Sequence, residues 1–347
     1  MDDYPAVASH VVACRGEARC RVRARLAPWI AFLLVLPPAS CDLPPAELLR
    51  DGTFAFGVFG DGPYRSWENG RFRRLIRDVN GTDLQWFVHI GDILWFPCSD
   101  EALTGRRDAL NTIRHPVIYT PGDNEWTDCH ERIAGSWSPL ERLDRLRAIF
   151  FARPGRSLGG RAMSVETQGS DSTFAEFVEN LRWRYGGFMF ATLHMVGSSN
   201  ATDRFDGRSA ADDSAVVRRT AAVLAWLDET FRQAEAERSK GIVLAMHADA
   251  GLERDPAVRP GYEEFVDRLE DRVRGFGGPV LLIHGDEHVF RLDQPLRDRV
   301  TGEVLANFTR LETFGSPDIG WIRVVVDTVA GRITDPEPRL MRGWGPW

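Results

Sequence analysis

Five short apolar segments of the chain each lead, within three residues, into glycine, aspartate or histidine. These segments span residues 54–59, 86–90, 117–119, 242–246 and 280–283. Apolar runs of this length without alternation are typical of strands buried on both faces, as in a sheet covered by helices. We therefore predict a central sheet whose strands end in polar residues.

Helical patterns lie between these strands. Apolar residues recur at helical spacing in 65–79, 216–238 and 262–274, and Ser138-Pro-Leu-Glu141 is a capping-box sequence that predicts a helix up to about residue 151. The alternation of strand and helix predicts an α/β domain with a largely parallel or mixed sheet.

The remaining segments predict loops and late strands. Residues 153–180 are rich in Gly, Ser and Thr and predict a long loop, although 174–181 leaves a short helix open. Further strands are predicted at 188–196, 305–311 and 320–327.

The N-terminal residues have a different composition from the rest. Three arginines among residues 21–25 precede an apolar run at 26–36, and Ala39-Ser-Cys41 follows. This order is that of a secretory signal peptide, and the run is shorter than the roughly 20 residues of a membrane span. Residues 39–41 also resemble the lipobox of bacterial lipoproteins, which implies lipidation at Cys41 and a periplasmic, membrane-anchored protein.

These boundaries predict a signal peptide at 1–40, a linker at 41–52, one domain at 53–335 and a tail at 336–347. The whole chain has 347 residues and a formal charge of −7, and residues 1–40 hold five Arg against three acidic residues. The mature part is therefore acidic, which argues against nucleic-acid binding through a basic surface.

Two cysteines, Cys98 and Cys129, fall within the predicted domain. In an oxidising compartment such a pair predicts a disulfide. Two buried thiols are the alternative.

Six side chains that can bind metal ions follow the predicted strands. They are Asp61, Asp92, Asp123, His247, Asp286 and His288. Ligand sites in α/β sheets lie beyond the carboxyl ends of the strands, so these groups are expected at one sheet edge. Carboxylates and imidazoles together suit a two-metal hydrolytic site.

The order of these motifs resembles the calcineurin-like metallophosphoesterase superfamily, which includes purple acid phosphatases. The resemblance covers residues 54–327 and implies a four-layer αββα sandwich with a dinuclear site at the strand ends. It implies Asp61 and His288 on the first metal, Asp92 bridging, and Asp123 and His247 on the second. It also implies hydrolysis of phosphomonoesters or phosphodiesters by a metal-bound hydroxide.

The motifs depart from the family pattern at several positions. Pro63 stands at the His of D-x-H, and Trp95 stands where purple acid phosphatases have a Tyr ligand. Asp123 replaces an Asn, and Asp286 replaces the first His of G-H-x-H, a form similar to the alkaline phosphatase D branch. The extra carboxylates favour Mn, Fe or Ca and Mg over Zn.

Asn124 stands where the family has the His that assists the leaving group. Catalysis then requires either another proton donor or a good leaving group, and Glu125, Glu287, His130 and His194 are candidate donors. Residues that could orient ligands or contact substrate are His89, His284, His194 and Asn200.

Two classes of function follow from these motifs. The first is an exported metallophosphoesterase acting on small phosphate esters. The alternative is a degenerate member of the fold that acts as a cell-envelope binding protein, and a purely structural lipoprotein would bind no metal.

Overall fold

A computed structural model describes residues 52–254, 258–334 and 336–342. The predicted signal peptide and Cys41 lie outside these residues. Within them, no helix is long and apolar enough to cross a membrane.

The first sheet has six strands in the order β12-β11-β1-β2-β3, with β13 also paired to β11. These strands are β1 (Thr53–Phe59), β2 (Phe87–His89), β3 (Val117–Tyr119), β11 (Gly320–Asp327), β12 (Arg332–Ile333) and β13 (Glu337–Leu340). β1, β2 and β3 are parallel, whereas β11 is antiparallel to its neighbours.

The second sheet has seven strands in the order β4-β5-β6-β7-β8-β10-β9. They are β4 (Glu166–Thr167), β5 (Leu181–Tyr185), β6 (Phe188–Thr192), β7 (Gly241–Ala245), β8 (Val280–His284), β9 (Arg291–Asp293) and β10 (Phe308–Glu312). β6, β7, β8 and β10 are parallel.

Helices cover the outer faces of both sheets. They are α1 (Asn69–Gly81), α2 (Asp100–Asn111), α3 (Pro139–Phe150), α5 (Ala210–Ala236) and α6 (Glu263–Gly275). The short segment α4 (Gly197–Ala201) is a turn in which residues 198–201 have positive φ angles, and it lies beside Asp123 and not on an outer face. Because side chains alternate along a strand, β6 places Met189 and Ala191 against α5 and α6, and Phe190 towards the other sheet.

The two sheets pack together through aromatic side chains. Trp86, next to β2, has its ring centroid 4.9 Å from that of Phe190 and 5.8 Å from that of Trp183. Phe54 of β1 lies 6.2 Å from Phe190. Each such pair contributes about 0.5–1.5 kcal/mol beyond burial of its area. The four layers are therefore helix, sheet, sheet and helix, and the predicted αββα sandwich is confirmed.

Several local predictions differ from the structure. Residues 174–181 form turns leading into β5 and no helix, and the predicted long loop contains β4. α3 begins at Pro139 as predicted, but the Ser138 side chain makes no capping hydrogen bond. β13 pairs with β11, so the first sheet extends into the segment that we predicted as a tail.

Candidate metal centre

The loops after β1, β2 and β3 place three aspartates at one edge of the first sheet. Asp61, Asp92 and Asp123 are buried, and Asp61 and Asp92 have φ angles of 54° and 53°. Non-glycine residues rarely adopt this left-handed conformation, which is concentrated at functional sites. Both carboxylates are therefore held by an unfavourable local backbone that the surrounding structure maintains.

Glycines in these loops allow close approach to the carboxylates. A Cβ atom on Gly122 would lie 2.1 Å from Asp92 Oδ1, and one on Gly285 would lie 2.2 Å from Asp61 Oδ2. These contacts exclude any side chain at either position.

His247, directly after the loop from β7, lies at the centre of one group of carboxylates. Its Nε2 is 3.0 Å from Asp123 Oδ1, 3.4 Å from Asp92 Oδ1 and 3.5 Å from Asp286 Oδ1. Its Nδ1 donates a hydrogen bond to the carbonyl of Ile90 at 3.1 Å, which directs Nε2 towards the aspartates. We call Asp123, His247 and Asp286 the inner half of the site.

A second group lies on the other side of Asp92. His288 Nε2 is 3.7 Å from Asp61 Oδ1, and His288 Nδ1 donates to the carbonyl of Ser316 at 2.7 Å. The backbone N–H of Asp286 donates to Asp61 Oδ1 at 3.0 Å. We call Asp61, His288 and the nearby Tyr64 the outer half.

Tyr64 belongs to the site although sequence reasoning missed it. Its hydroxyl donates to Asp92 Oδ2 at 2.6 Å and lies 3.3 Å from His288 Nε2. Burial and then the charges of Asp92 and Asp61 raise the pKa of Tyr64 well above its ordinary value. The one feature of the sequence that could have indicated its role is its position three residues after Asp61.

Asn124 and Glu125 support the aspartate loops. The backbone N–H of Asn124 donates to Asp92 Oδ1 at 3.1 Å, and its side-chain amide donates to Asp92 Oδ2 at 2.6 Å. Glu125 is fully buried and accepts hydrogen bonds from the N–H groups of Ile93, at 2.6 Å, and Gly122, at 3.0 Å. Glu125 therefore joins the loop after β2 to the loop after β3. Both of its carboxylate oxygens are used in these hydrogen bonds, so it is not placed as a proton donor.

The other predicted histidines lie outside the cluster. His89 Nδ1 accepts from the N–H of Gly91 at 3.2 Å, and His284 Nδ1 donates to the carbonyl of Gly285 at 3.0 Å. Burial lowers the pKa of His89 to about 3 and that of His284 to about 4. Each histidine is therefore neutral, and it hydrogen bonds the backbone of a loop that carries one of the candidate metal ligands.

His194 also lies outside the cluster. It bonds the buried Glu179 at 2.8 Å and stacks edge-on with Trp126. Burial lowers its pKa to about 4. The ring is fully buried and bonded to Glu179, so it is not positioned as a proton donor to substrate.

Asn200 belongs to a left-handed turn beside the site. Ser198, Ser199 and Asn200 have φ angles of 50°, 53° and 56°. The buried Arg219 of α5 donates to Asn200 Oδ1 at 2.6 Å and to the Asn200 carbonyl at 2.8 Å. The turn directs Ser198 Oγ to Asp123 Oδ2 at 2.9 Å and to Asp128 Oδ1 at 2.8 Å. Asn200 thus holds the turn, and Ser198 makes the contact with the site.

Glu287 and His130 are the remaining predicted proton donors. The Glu287 side chain is 53% exposed and lies 3.7 Å from Arg254. His130 hydrogen bonds the carbonyl of Thr127 at 2.7 Å and stacks on Phe205. None of these contacts reaches the aspartate cluster.

The cluster carries more negative charge than its protein neighbours balance. Across residues 52–254, 258–334 and 336–342, the ion pairs of Asp61, Asp92, Asp123 and Asp286 are made only with His247 and His288. Burial raises the pKa of Asp61 to about 6 and that of Asp92 well above its ordinary range.

His247 and Asp123 respond to this charge in opposite directions. Burial disfavours the imidazolium, but the carboxylates of Asp92 and Asp123 outweigh it and raise the pKa of His247. Burial would raise the pKa of Asp123, but the hydrogen bond from His247 lowers it to about 2.

These observations fit metal ions. Buried carboxylates without cationic partners are costly, and bound cations would compensate their charge. Ligand atoms of Asp61, Asp92 and His247, and separately of Asp123, His247 and Asp286, lie within 4.8 Å of one another. The donor set of carboxylates and imidazoles therefore suits two hard or borderline cations.

The predicted disulfide between Cys98 and Cys129 is present, with a Cα–Cα distance of 5.7 Å. Both sulfurs lie within 3.5 Å of the Asn124 carbonyl oxygen. The disulfide thus joins the segments that follow Asp92 and Asp123.

Two facing sheets covered by helices, with this cluster at their shared strand edge, define the calcineurin-like metallophosphoesterase fold. Among solved structures, a dimetal phosphatase from Danio rerio is similar over 83% of this chain and 96% of its own, with 13% identity and a TM-score of 0.54. PhoD is similar over 82% of this chain and 66% of its own, with 12% identity and a TM-score of 0.49. No family model matches the sequence, and no curated protein matches it. At these identities the likeness concerns the fold.

Proposed function

We propose that the chain is an exported, metal-dependent phosphoesterase that hydrolyses small phosphomonoesters or phosphodiesters. The observation that carries this proposal is the convergence of carboxylates and imidazoles from five strand ends without balancing Arg or Lys among the described residues. The fold shared with a dimetal phosphatase supports it.

The residues of the chain would hold the cations and keep their ligands in position. Asp61 and His288 would bind one cation, Asp123, His247 and Asp286 the other, and Asp92 both. Two such cations polarise phosphoryl oxygens and activate water for in-line attack.

Backbone groups and small polar side chains fix these ligands. The carbonyls of Ile90 and Ser316 orient the two imidazoles, Asn124 holds both oxygens of Asp92, and Ser198 holds Asp123. Ligands held in this way need little reorganisation when charge develops on a phosphoryl group.

The proton for the leaving group requires a source other than Asn124, whose amide is bonded to Asp92. Asp128 is the best placed acid, because Ser198 links it to Asp123. Burial and the charge of Asp123 raise the pKa of Asp128 to about 7 in the metal-free protein. A carboxyl group whose pKa lies near the working pH is suited to general acid catalysis.

The test is hydrolysis of aryl phosphate mono- and diesters by the purified chain loaded with Mn²⁺, Fe³⁺ or Ca²⁺. Asp92→Asn should weaken metal binding and lower turnover by about 10²–10⁴-fold or more, whereas Asp108→Asn, on the exposed face of α2, should retain both. Equal activity of the Asp92 variant would reject the proposal.

A metal-binding protein without turnover is the second candidate. The observation that favours it is Asn124, whose amide cannot donate a proton in acid catalysis and is already bonded to Asp92. Stoichiometric metal binding with no hydrolysis of any ester tested would support this candidate.

Export and lipidation at Cys41 complete the proposal. Metabolic labelling with a radioactive fatty acid should modify the chain, and Cys41→Ala should remove the label and release the protein from the membrane fraction. An unlabelled wild-type chain would exclude the lipid anchor.

A further inference from the structure

A cavity of about 370 Å³ lies between α3, α5 and the turns that lead into β5. The residues that line it include none of the six assigned metal ligands. Its apolar walls are formed by Leu140 and Leu143 of α3, Phe177 of the turns and Val216 of α5. Small-molecule sites in proteins have volumes of this order, and most of their walls are apolar, with a few polar groups that fix the ligand.

Four arginines line this cavity, and a carboxylate neutralises three of them. These ion pairs are Arg147 with Glu179, Arg208 with Asp213 and Arg218 with Glu176. The fourth, Arg219, is 2% exposed and makes no ion pair within residues 52–254, 258–334 and 336–342. Burial lowers the pKa of Arg219 to about 10, so the side chain is a cation at neutral pH. The cavity therefore contains one buried positive charge without a paired carboxylate.

The guanidinium of Arg219 also keeps hydrogen-bond donors in reserve. Nη1 donates to the carbonyl of His194 at 2.8 Å and to Asn200 Oδ1 at 2.6 Å, and Nη2 donates to the Asn200 carbonyl at 2.8 Å. Because a guanidinium has five N–H groups, two of them, including that of Nε, have no acceptor in the described part of the chain.

Trp126 provides a third such donor at the same cavity. Its ring centre lies 5.5 Å from the guanidinium carbon of Arg219, and its indole Nε1 is buried without a hydrogen-bond partner among the described residues. Buried donors are nearly always satisfied in folded proteins. An anionic group that accepts hydrogen bonds would satisfy the donors and neutralise Arg219 together.

We propose that this cavity binds a small apolar carboxylate, with its carboxylate group on Arg219 and its apolar part between α3 and α5. One unpaired cation matches one negative charge, and a carboxylate fits the planar guanidinium through parallel hydrogen bonds. The apolar walls disfavour a strongly hydrated dianion such as phosphate. Because no assigned metal ligand lines the cavity, this ligand is distinct from a phosphate ester at the metal centre, and the proposal does not rest on the proposed function.

The test is isothermal titration of the purified chain with 3-phenylpropionate. Phosphate buffer is used, so that phosphate competes with the carboxylate for any cation in the metal centre. We expect saturable binding at one site. 3-Phenylpropionamide keeps the shape but lacks the charge, and propionate keeps the charge but lacks the ring. Each should bind about tenfold more weakly, or worse, because one of the two interactions is missing.

A pair of variants in α5 locates the ligand. Ala215 lines the cavity, so Ala215→Phe should fill part of it and weaken the binding of 3-phenylpropionate by about tenfold or more. Ala221 is exposed on the same helix and does not line this cavity, so Ala221→Phe is the matched control and should bind as the wild type does. Circular dichroism checks that both variants are folded.

Three results would overturn the proposal. No saturable binding of 3-phenylpropionate to the wild-type protein would leave the cavity to water. Equal affinity for 3-phenylpropionamide would show that the charge of Arg219 does not select the ligand. Unchanged affinity in Ala215→Phe would place the ligand elsewhere. The first two results come from the wild-type protein, so they decide the matter even if Ala215→Phe does not fold, and the loss of phosphoesterase activity would not affect them.

Discussion

The two halves of the candidate metal centre differ in how they are built. In the inner half, His247 is fully buried and receives carboxylates from both sheets. In the outer half, the side chain of His288 is 28% exposed and lies beside Tyr64, whose ring contacts Trp95.

This difference has a physical origin. Asp123 and His247 follow strands in opposite sheets, so the packing of the sandwich fixes the distance between them. Tyr64 and His288 lie further along their loops and depend on Glu68 and Ser316 for their positions. We therefore expect the inner half to be rigid and the outer half to be open to substrate and to exchange of its cation.

The largest effect is expected at Asp92, which contacts both halves. Asp92→Asn should remove the bridging charge, so both cations should bind weakly. Since each cation contributes several kcal/mol to catalysis, activity should fall by about 10²–10⁴-fold or more. Metal content by elemental analysis and kcat/KM on an aryl phosphate check this result. Loss of only one cation would show that the halves are independent.

The two histidines should differ in their effects. His247→Asn should reduce metal affinity by at least about 100-fold, because the imidazole is central to the inner half, and His288→Asn by about 10-fold. His130→Asn, at a histidine stacked on Phe205, is the control and should leave affinity unchanged. Isothermal titration with Mn²⁺ measures all three. If His288→Asn lost more Mn²⁺ affinity than His247→Asn, the inner half would not be the tighter binding site, and the expectation would be wrong.

The stability of the metal-free protein should depend on pH through Asp61. Its pKa is about 6 in the folded protein against an ordinary value of 3.8, so the folded state binds the proton more tightly. Stability should then fall as pH rises from about 4 to about 6 and stay low above, by up to about 3 kcal/mol for this group alone. Asp123, with a pKa of about 2, does not titrate in this window.

Thermal unfolding across this pH range, with and without Mn²⁺, measures the effect. Added metal should raise the melting temperature most above about pH 6, where Asp61 is ionised. In the metal-free Asp61→Asn variant, the melting temperature should change less with pH than in the wild-type protein. A wild-type melting temperature that rises with pH over this range would contradict the expectation.

The part of the site that sequence predicts is the part attached to strand ends. Asp92 and His247 were identifiable because an apolar strand precedes each of them and the ends of parallel strands meet at one edge. Tyr64 could not be identified in this way, because its position in the site depends on the hydrogen bond from its backbone N–H to Glu68 in the same loop.

The same distinction explains the residues whose roles were predicted differently. Asn124 and Glu125 were predicted as catalytic residues from their positions in the third motif. The structure shows instead that Asn124 hydrogen bonds Asp92 and that Glu125 accepts hydrogen bonds from two backbone N–H groups. The left-handed turn at Ser198 depends on Arg219, twenty-one residues later, so no local pattern signals it.

The smallest effect is expected at Gly197, where the turn approaches the inner half without supplying a ligand. A Cβ there would lie 2.5 Å from Asp123 Oδ2 and 2.6 Å from Asp286 Oδ1. Gly197→Ala should therefore displace both carboxylates and cost about 1–3 kcal/mol, as overpacking does. Gly105→Ala, in α2 with nothing within 4 Å of the new Cβ, is the control and should stabilise the protein by up to about 1 kcal/mol. If chemical denaturation shows the two variants alike, and the Gly197 variant keeps its affinity for the inner cation, the inner half is not rigid.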